Sequence, residues 1–150
     1  MSANIRKIDQ EETPLPALQP TTEQISRFTK DEHDGPIVMI NLLKFRDRAA
    51  YSPDDPEHGD DISGAEAYAR YGQEVGALAS DPKIGITTVY AAPSMGFLIG
   101  EGDWDMVLLA RYPSRAHMAR MMRDPRYQTA HRHRAAGLLH QDLIETRPQE

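Results

Sequence analysis

The segment Gly102 to Arg147, GDWDMVLLARYPSRAHMARMMRDPRYQTAHRHRAAGLLHQDLIETR, constrains the fold more than any other part of the chain. Trp104 to Tyr112 is an apolar, strand-forming run. Pro113 ends it, and Ser114 caps a short helix through Met122. Asp124 caps a second helix, with Pro125 at the favoured first position. That helix runs to about Ala136, where Gly137 is a good terminator. Leu138 to Thr146 predicts a closing strand. A strand–helix–helix–strand order so closely punctuated leaves few packings open.

The upstream half supplies the complement. Ile37 to Phe45 (IVMINLLKF) is a near-continuous apolar run behind Gly35-Pro36, which predicts a strand buried on both faces. Ser63 and Glu66 make a capping box. Tyr68, Tyr71, Val75 and Leu78 follow at helical spacing until Asp81-Pro82 breaks the helix. Lys83 to Ala92 reads as a strand, interrupted at Pro93 and Gly96 and resumable over Phe97 to Ile99. Glu101-Gly102-Asp103 reads as a hairpin turn. Between the first strand and its helix, Arg46 to Ile62 is a polar loop of a length seen mostly in functional or disordered segments. Ahead of all this, Thr21 and Gln24 form a capping box for a helix carrying Ile25 and Phe28 on one face. Residues 1–20, with Pro14, Pro16 and Pro20, are expected to form a flexible arm, and residues 21–150 a single domain.

After residue 36 the order is β-α-β-β-α-β, the α+β ferredoxin-like arrangement, here preceded by an N-terminal helix. Its first and third strands lie centrally, both helices cover one face, and the other face is bare. An uncovered apolar sheet face needs a partner. A lean composition (39 % hydrophobic, 7 % aromatic) points to a second copy of the chain. Alternation puts Trp104, Met106, Leu108, Ala110 and Tyr112 under the helices, and Asp105, Val107, Leu109 and Arg111 on the bare face. By the same logic Asn41, in the set Ile37, Met39, Asn41, Leu43 and Phe45, is expected to face the cavity between subunits. On the last strand Leu139 and Leu143 fit the helix side.

Composition excludes several function classes. With 17 Lys plus Arg against 23 Asp plus Glu, the net charge is −6, which opposes nucleic-acid binding. Without cysteine there are no disulfides and no thiolate sites. No apolar run approaches the ~20 residues of a membrane helix, and MSANIRKIDQEE lacks an apolar signal core. A cytoplasmic protein with no membrane partner is expected. No G-x-S-x-G, P-loop, dinucleotide fingerprint or H-E-x-x-H is present.

The pieces GPIVMINLLKFR, SGAEAYARYG, GDWDMVLLARYPSRAHM and DPRYQTAHRHRAAGL resemble the DUF1330 family within the dimeric α/β-barrel superfamily. The likeness runs from about Gly35 to Ile144, and the YPSR step followed by DPxYQ is its most specific part. It implies a ferredoxin-like subunit pairing sheet-to-sheet with a twofold mate. That family has no agreed activity to transfer. The wider superfamily includes cofactor-free monooxygenases, small-ring isomerases, haem enzymes and ligand sensors, and fold does not choose among them.

Five residues are candidates for chemistry. Asn41, an amide in an apolar central strand, must find partners; it can anchor a substrate carbonyl or make a structural bond. Arg111 suits a carboxylate, and Asp105 or His140 can move a proton. Asp105 and Arg111 lie ~20 Å apart along one strand, so each meets a ligand or a rim ion pair rather than the other. Tyr71 can reach a pocket mouth or serve as core. His131 and His133 face different ways on a helix crowded by Arg132 and Arg134, so no metal is expected there. That run reads as cations at a helix C-terminus. The expected pocket lies between sheet and helices or between two sheets. Three readings follow: a cofactor-independent enzyme acting on a small carbonyl- or carboxylate-bearing molecule, a non-catalytic ligand-binding or structural homodimer, and, least favoured, a haem or metal protein.

Overall fold

The computed structural model describes residues 18–149. The predicted arm therefore lies outside the described residues, apart from Leu18, Gln19 and Pro20. Helix α1 (Thr22–Lys30) starts at the Thr21–Gln24 capping box. Strand β1 (Ile37–Phe45), helix α2 (Gly64–Gly76) with a 3₁₀ turn at Ala77–Ser80, and strand β2 (Thr87–Pro93) follow. Strand β3 (Met106–Tyr112), helices α3 (Arg115–Arg123) and α4 (Pro125–Gly137), and strand β4 (Leu138–Thr146) complete the described residues. The caps at Ser63, Ser114 and Asp124 all accept the expected backbone N–H.

The sheet order is β2-β3-β1-β4, antiparallel throughout, which is the ferredoxin-like α+β fold with an added N-terminal helix. Ile37, Met39 and Leu43 of β1 and Ala110 and Tyr112 of β3 are buried. Of these, Ile37, Met39, Ala110 and Tyr112 join Val75, Leu78, Met118, Met121 and Ala130 in one core. Val38, Ile40, Leu42, Val107 and Leu109 alternate onto the opposite face and are only half-buried. This is period-2 alternation with one apolar face packed and one apolar face left open.

Two expectations change. β2 begins at Thr87, because Lys83 to Ile86 is spent on a turn closed by Asp81, whose carbonyl accepts from Ile84 and Gly85. Phe97 to Ile99 does not resume the strand; residues 94–105 form one long connection carrying Met95, Leu98 and Ile99 almost fully exposed. Gly137 does end the last helix as expected, although with a negative φ. It is small because a Cβ there would come within 2.5 Å of the Gly64 carbonyl, and one at Gly64 within 2.2 Å of the Arg46 carbonyl. Those glycines let the start of α2 and the end of α4 touch backbone to backbone.

The polar loop 46–62 is pinned to α4. Ala50 donates to the Ala136 carbonyl at 2.9 Å, and the buried Tyr51 hydroxyl meets His133 Nδ1 at 2.6 Å. Glu57 receives two hydrogen bonds from Arg132 at 2.8 Å.

Candidate functional site

Between the helix-covered face of the sheet and α1, α2 and α4 lies a cavity of about 680 Å³. That is within the range of small-molecule sites. Residues 46–62 do not line it, so the polar loop is no lid for this cavity. Met39, Leu108 and Ala110 form its floor, and Met118, Met121 and Met122 its side. Tyr68, Tyr71 and Tyr127 form an aromatic wall, with ring centroids 5.2 and 6.1 Å apart in turn. The wall follows from sequence: Tyr68, Tyr71 and Val75 share a face of α2 at helical spacing.

α1 covers the open side through Ile25 and Phe28 but buries none of its own residues. Its C-terminal end is tied by Arg115, which donates to the Phe28 carbonyl at 3.0 Å, stacks over the Phe28 ring and pairs with Asp31 and Glu145.

One corner of the cavity is polar. Asn41 donates from Nδ2 to the carbonyls of Leu108 (3.1 Å) and Met39 (3.3 Å), and its Oδ1 accepts from Gln141 Nε2 at 3.2 Å. Gln141, 7 % exposed, accepts from Arg134 Nη2 on its own carbonyl oxygen. Arg134 also donates to the Leu18 carbonyl at 2.7 Å and faces His131 Nε2 at 3.2 Å. Among the described residues no carboxylate lies within ion-pair distance of Arg134. Burial, and secondly the Arg134 charge, push the His131 pKa below its ordinary value, so the imidazole is neutral at neutral pH and can accept from Arg134. Burial raises the Tyr68 pKa to about 12 and pushes that of Tyr71 well above its ordinary value, the latter helped by Tyr127. These phenols are therefore hydrogen-bond donors, not bases.

The five sequence candidates divide between the two faces. Asn41 and Tyr71 line the cavity. The expectation that Asn41 faces the bare side is overturned: it pairs with Leu108 across β1 and β3 and points under the helices with Ile37, Met39 and Leu43. Both its N–H donors are taken by backbone carbonyls, so it orients Gln141 rather than offering a free donor. Arg111 pairs with Val38 on the bare face. Asp105 accepts from the Phe45 amide at 2.8 Å and from Lys44 at 3.4 Å, securing the end of β1. His140 lies cross-strand from Lys44, edge-on to Trp104 at 5.0 Å. Asp105, His140 and Arg111 therefore do not share a site with Asn41 and Tyr71. Gln141, Arg134 and His131 were missed. Alternation along β4 puts Gln141 in the Leu139–Leu143 set and could have found it; the aim of Arg134 into the cavity leaves no mark in a run of alternating His and Arg.

Among the described residues no three His, Asp or Glu side chains converge as a metal site, and no helix is long and apolar enough to cross a membrane.

No family model and no curated protein matches the chain. Solved structures do. The methylated RPA0582 protein is 37% identical with a TM-score of 0.80, over 91% of this chain and 98% of its own. RPA0582 of Rhodopseudomonas palustris, a protein of unknown function, is also 36% identical in a second structure, with a TM-score of 0.78 over 90% of this chain and 98% of that one. A dimeric protein of unknown function with a ferredoxin-like fold, from Bacteroides fragilis NCTC 9343, is 14% identical with a TM-score of 0.48, over 75% and 95% of the two chains.

Proposed function

The chain belongs to the same family as the RPA0582 protein of Rhodopseudomonas palustris, whose function is unknown, and on that premise we propose that it is a homodimeric, DUF1330-type protein that binds a small, partly apolar molecule bearing a carbonyl or carboxylate. The observation carrying this reading is the cavity: about 680 Å³, walled by tyrosines and methionines, with its polar groups gathered at one corner. Concave apolar space with a few convergent polar groups is the usual form of a ligand site. The dimer reading is supported by the row Ile144, Ile40 and Leu109 across the centre of the bare face, in register on β4, β1 and β3. A second copy would remove these side chains from water.

The binding reading is better supported than the catalytic one, because Asp105 and His140 lie off the cavity and the Tyr68 and Tyr71 phenols are held protonated. One observation favours catalysis: His131, held neutral beside the cavity, has the protonation state of a general base. No cofactor enters this proposal.

Methionine ε-methyl NMR tests the binding reading directly. Met39, Met118, Met121 and Met122 line the cavity, whereas Met95 is 96% exposed on the β2–β3 connection. Titration with indole, benzamide and 3-phenylpropanoate should shift the four cavity methyls and leave Met95 in place. If none of these probes moves the cavity methyls at millimolar concentration, the proposal fails.

A further inference from the structure

We propose, resting on the cavity reading above, that the ligand is an organic monocarboxylate with an aromatic or branched apolar body, and that Arg134 is the group that binds its carboxylate. Other cations near the core are already neutralised: Arg115 by Glu145 and Asp31, Arg132 by Glu57, and Arg126 by Asp81 and Asp124. Arg134 differs. Its partners are a backbone carbonyl, an amide oxygen and a neutral imidazole, none of which cancels its charge.

Its Nε–H and the second hydrogen of Nη1 have no partner among the described residues. The Arg134 Nε is not sealed from solvent, since the buried side-chain nitrogen without a partner among the described residues is Arg46 Nε. Arg134 lines the cavity, and its guanidinium has donors to spare. The Leu18 carbonyl oxygen at 2.7 Å already occupies one donor with the kind of acceptor a carboxylate would supply more strongly.

The Asn41–Gln141 chain fixes where that charge sits. Asn41 is held by two carbonyls of the sheet, Gln141 by Asn41, and the guanidinium by Gln141. Asn41 and Gln141 are thus positioning residues, and Arg134 is preorganised for an anion. One unneutralised cation against an aromatic and thioether wall suits a single negative charge. A phosphate monoester dianion would call for a second cation. Arg27 also lines the cavity, but from the exposed side of α1, where water screens it.

Isothermal titration of the full chain with matched probes tests this: 3-phenylpropanoate, 3-phenylpropanamide, 3-phenylpropylamine and phenyl phosphate. Wild type should bind the carboxylate about tenfold or more tighter than the amide, and the amine more weakly still. Arg134→Gln should abolish the carboxylate preference while amide binding persists, whereas Arg27→Gln should keep the preference. Equal affinity for carboxylate and amide in wild type overturns the inference, and needs no variant to fold. Tighter binding of phenyl phosphate than of the carboxylate overturns it, as does loss of the preference in Arg27→Gln alone. Absence of binding by all four probes instead removes the cavity reading itself.

Discussion

Gln141 on β4 donates its side-chain amide to Asn41 Oδ1 on β1 at 3.2 Å, and so joins one of the sheet's two central strands to the polar corner of the cavity. The bond is diagonal across two antiparallel strands, both side chains facing the helices. Asn41 is also tied to β3 through the Leu108 carbonyl. One amide thereby bridges three strands. Asn41→Leu leaves the Gln141 amide group, itself 7 % exposed, without its acceptor. We expect a loss of about 1–3 kcal/mol in urea unfolding, the cost of an unsatisfied buried polar group. An unchanged or increased stability would mean that Gln141 finds another acceptor.

The Tyr51 hydroxyl at 2.6 Å from His133 Nδ1 predicts a separate effect on the polar loop. His133 is 3% exposed, its Nε2 meets Glu74 on α2, and the Tyr51 hydroxyl is the hydrogen-bond partner of its Nδ1. Tyr51→Phe should cost about 1–3 kcal/mol. It should also speed hydrogen exchange at the Ala50 amide, which bonds to the Ala136 carbonyl. A global loss of stability without faster local exchange at Ala50 would show that Tyr51 acts through the core rather than through the loop.

The same loop should fail in acid. The Arg132 guanidinium holds the Glu57 carboxyl down to about 2, from an ordinary 4.5. A carboxyl depressed in the fold stabilises it above its unfolded pKa and loses that contribution as pH falls through the folded value. Loop ordering should therefore be fully present above about pH 4.5 and lost toward about pH 2. Glu57→Gln removes this acid dependence. Amide exchange of residues 49–58 against pH reads the transition, and an identical acid profile in Glu57→Gln would rule out this pair as its source.

His131 gives a second titration, with the sign set by a base rather than an acid. Burial and the Arg134 charge disfavour its protonated form, so its folded pKa lies below 6.5. It contributes stability above the ordinary histidine pKa that is lost as pH falls through the folded value. In Arg134→Gln the His131 pKa should rise but stay below its ordinary value, because burial, the larger cause, remains. Imidazole NMR titration measures both values. A His131 pKa unmoved by Arg134→Gln would show that the two groups are not electrostatically coupled.

These groups also mark how far the sequence could be read. The strand and helix order was legible because caps and breakers stand at the joints: Thr21, Ser63, Ser114 and Asp124 all cap as their residue types require. Alternation along β3 correctly separated Leu108, Ala110 and Tyr112 from Val107, Leu109 and Arg111. β1 was harder, because a strand apolar on both faces carries no contrast to say which set is inside. Asn41 went to the wrong face for that reason. The polar corner was illegible for a different one. Gln141 and Arg134 meet only because β4 returns directly from α4, and a short helix–strand junction fixes that geometry without a residue pattern to announce it. The bulge between Thr88 and Tyr90 likewise shifts the β2 register where the sequence shows an unbroken β-branched run.

The bare face supplies the last prediction. Ile40 faces Leu109 on one side and Ile144 on the other, and all three point away from the helices. Ile144 is 47% exposed and Tyr90 57% in the single chain, which is costly for side chains of this size. A twofold partner burying this face would need about 1,200–2,000 Å² in total for a stable interface. Leu109→Glu would place two carboxylates from two copies near the centre of that contact, where desolvation and their mutual repulsion oppose association. Sedimentation should show a dimer for the wild type and a 16.9 kDa monomer for Leu109→Glu. Arg120→Glu, on the exposed side of α3, should leave the dimer intact. If the wild-type chain itself sediments as a monomer at micromolar concentration, the sheet face is not an interface between copies. The cavity reading would survive that result, because every group lining the cavity belongs to a single chain.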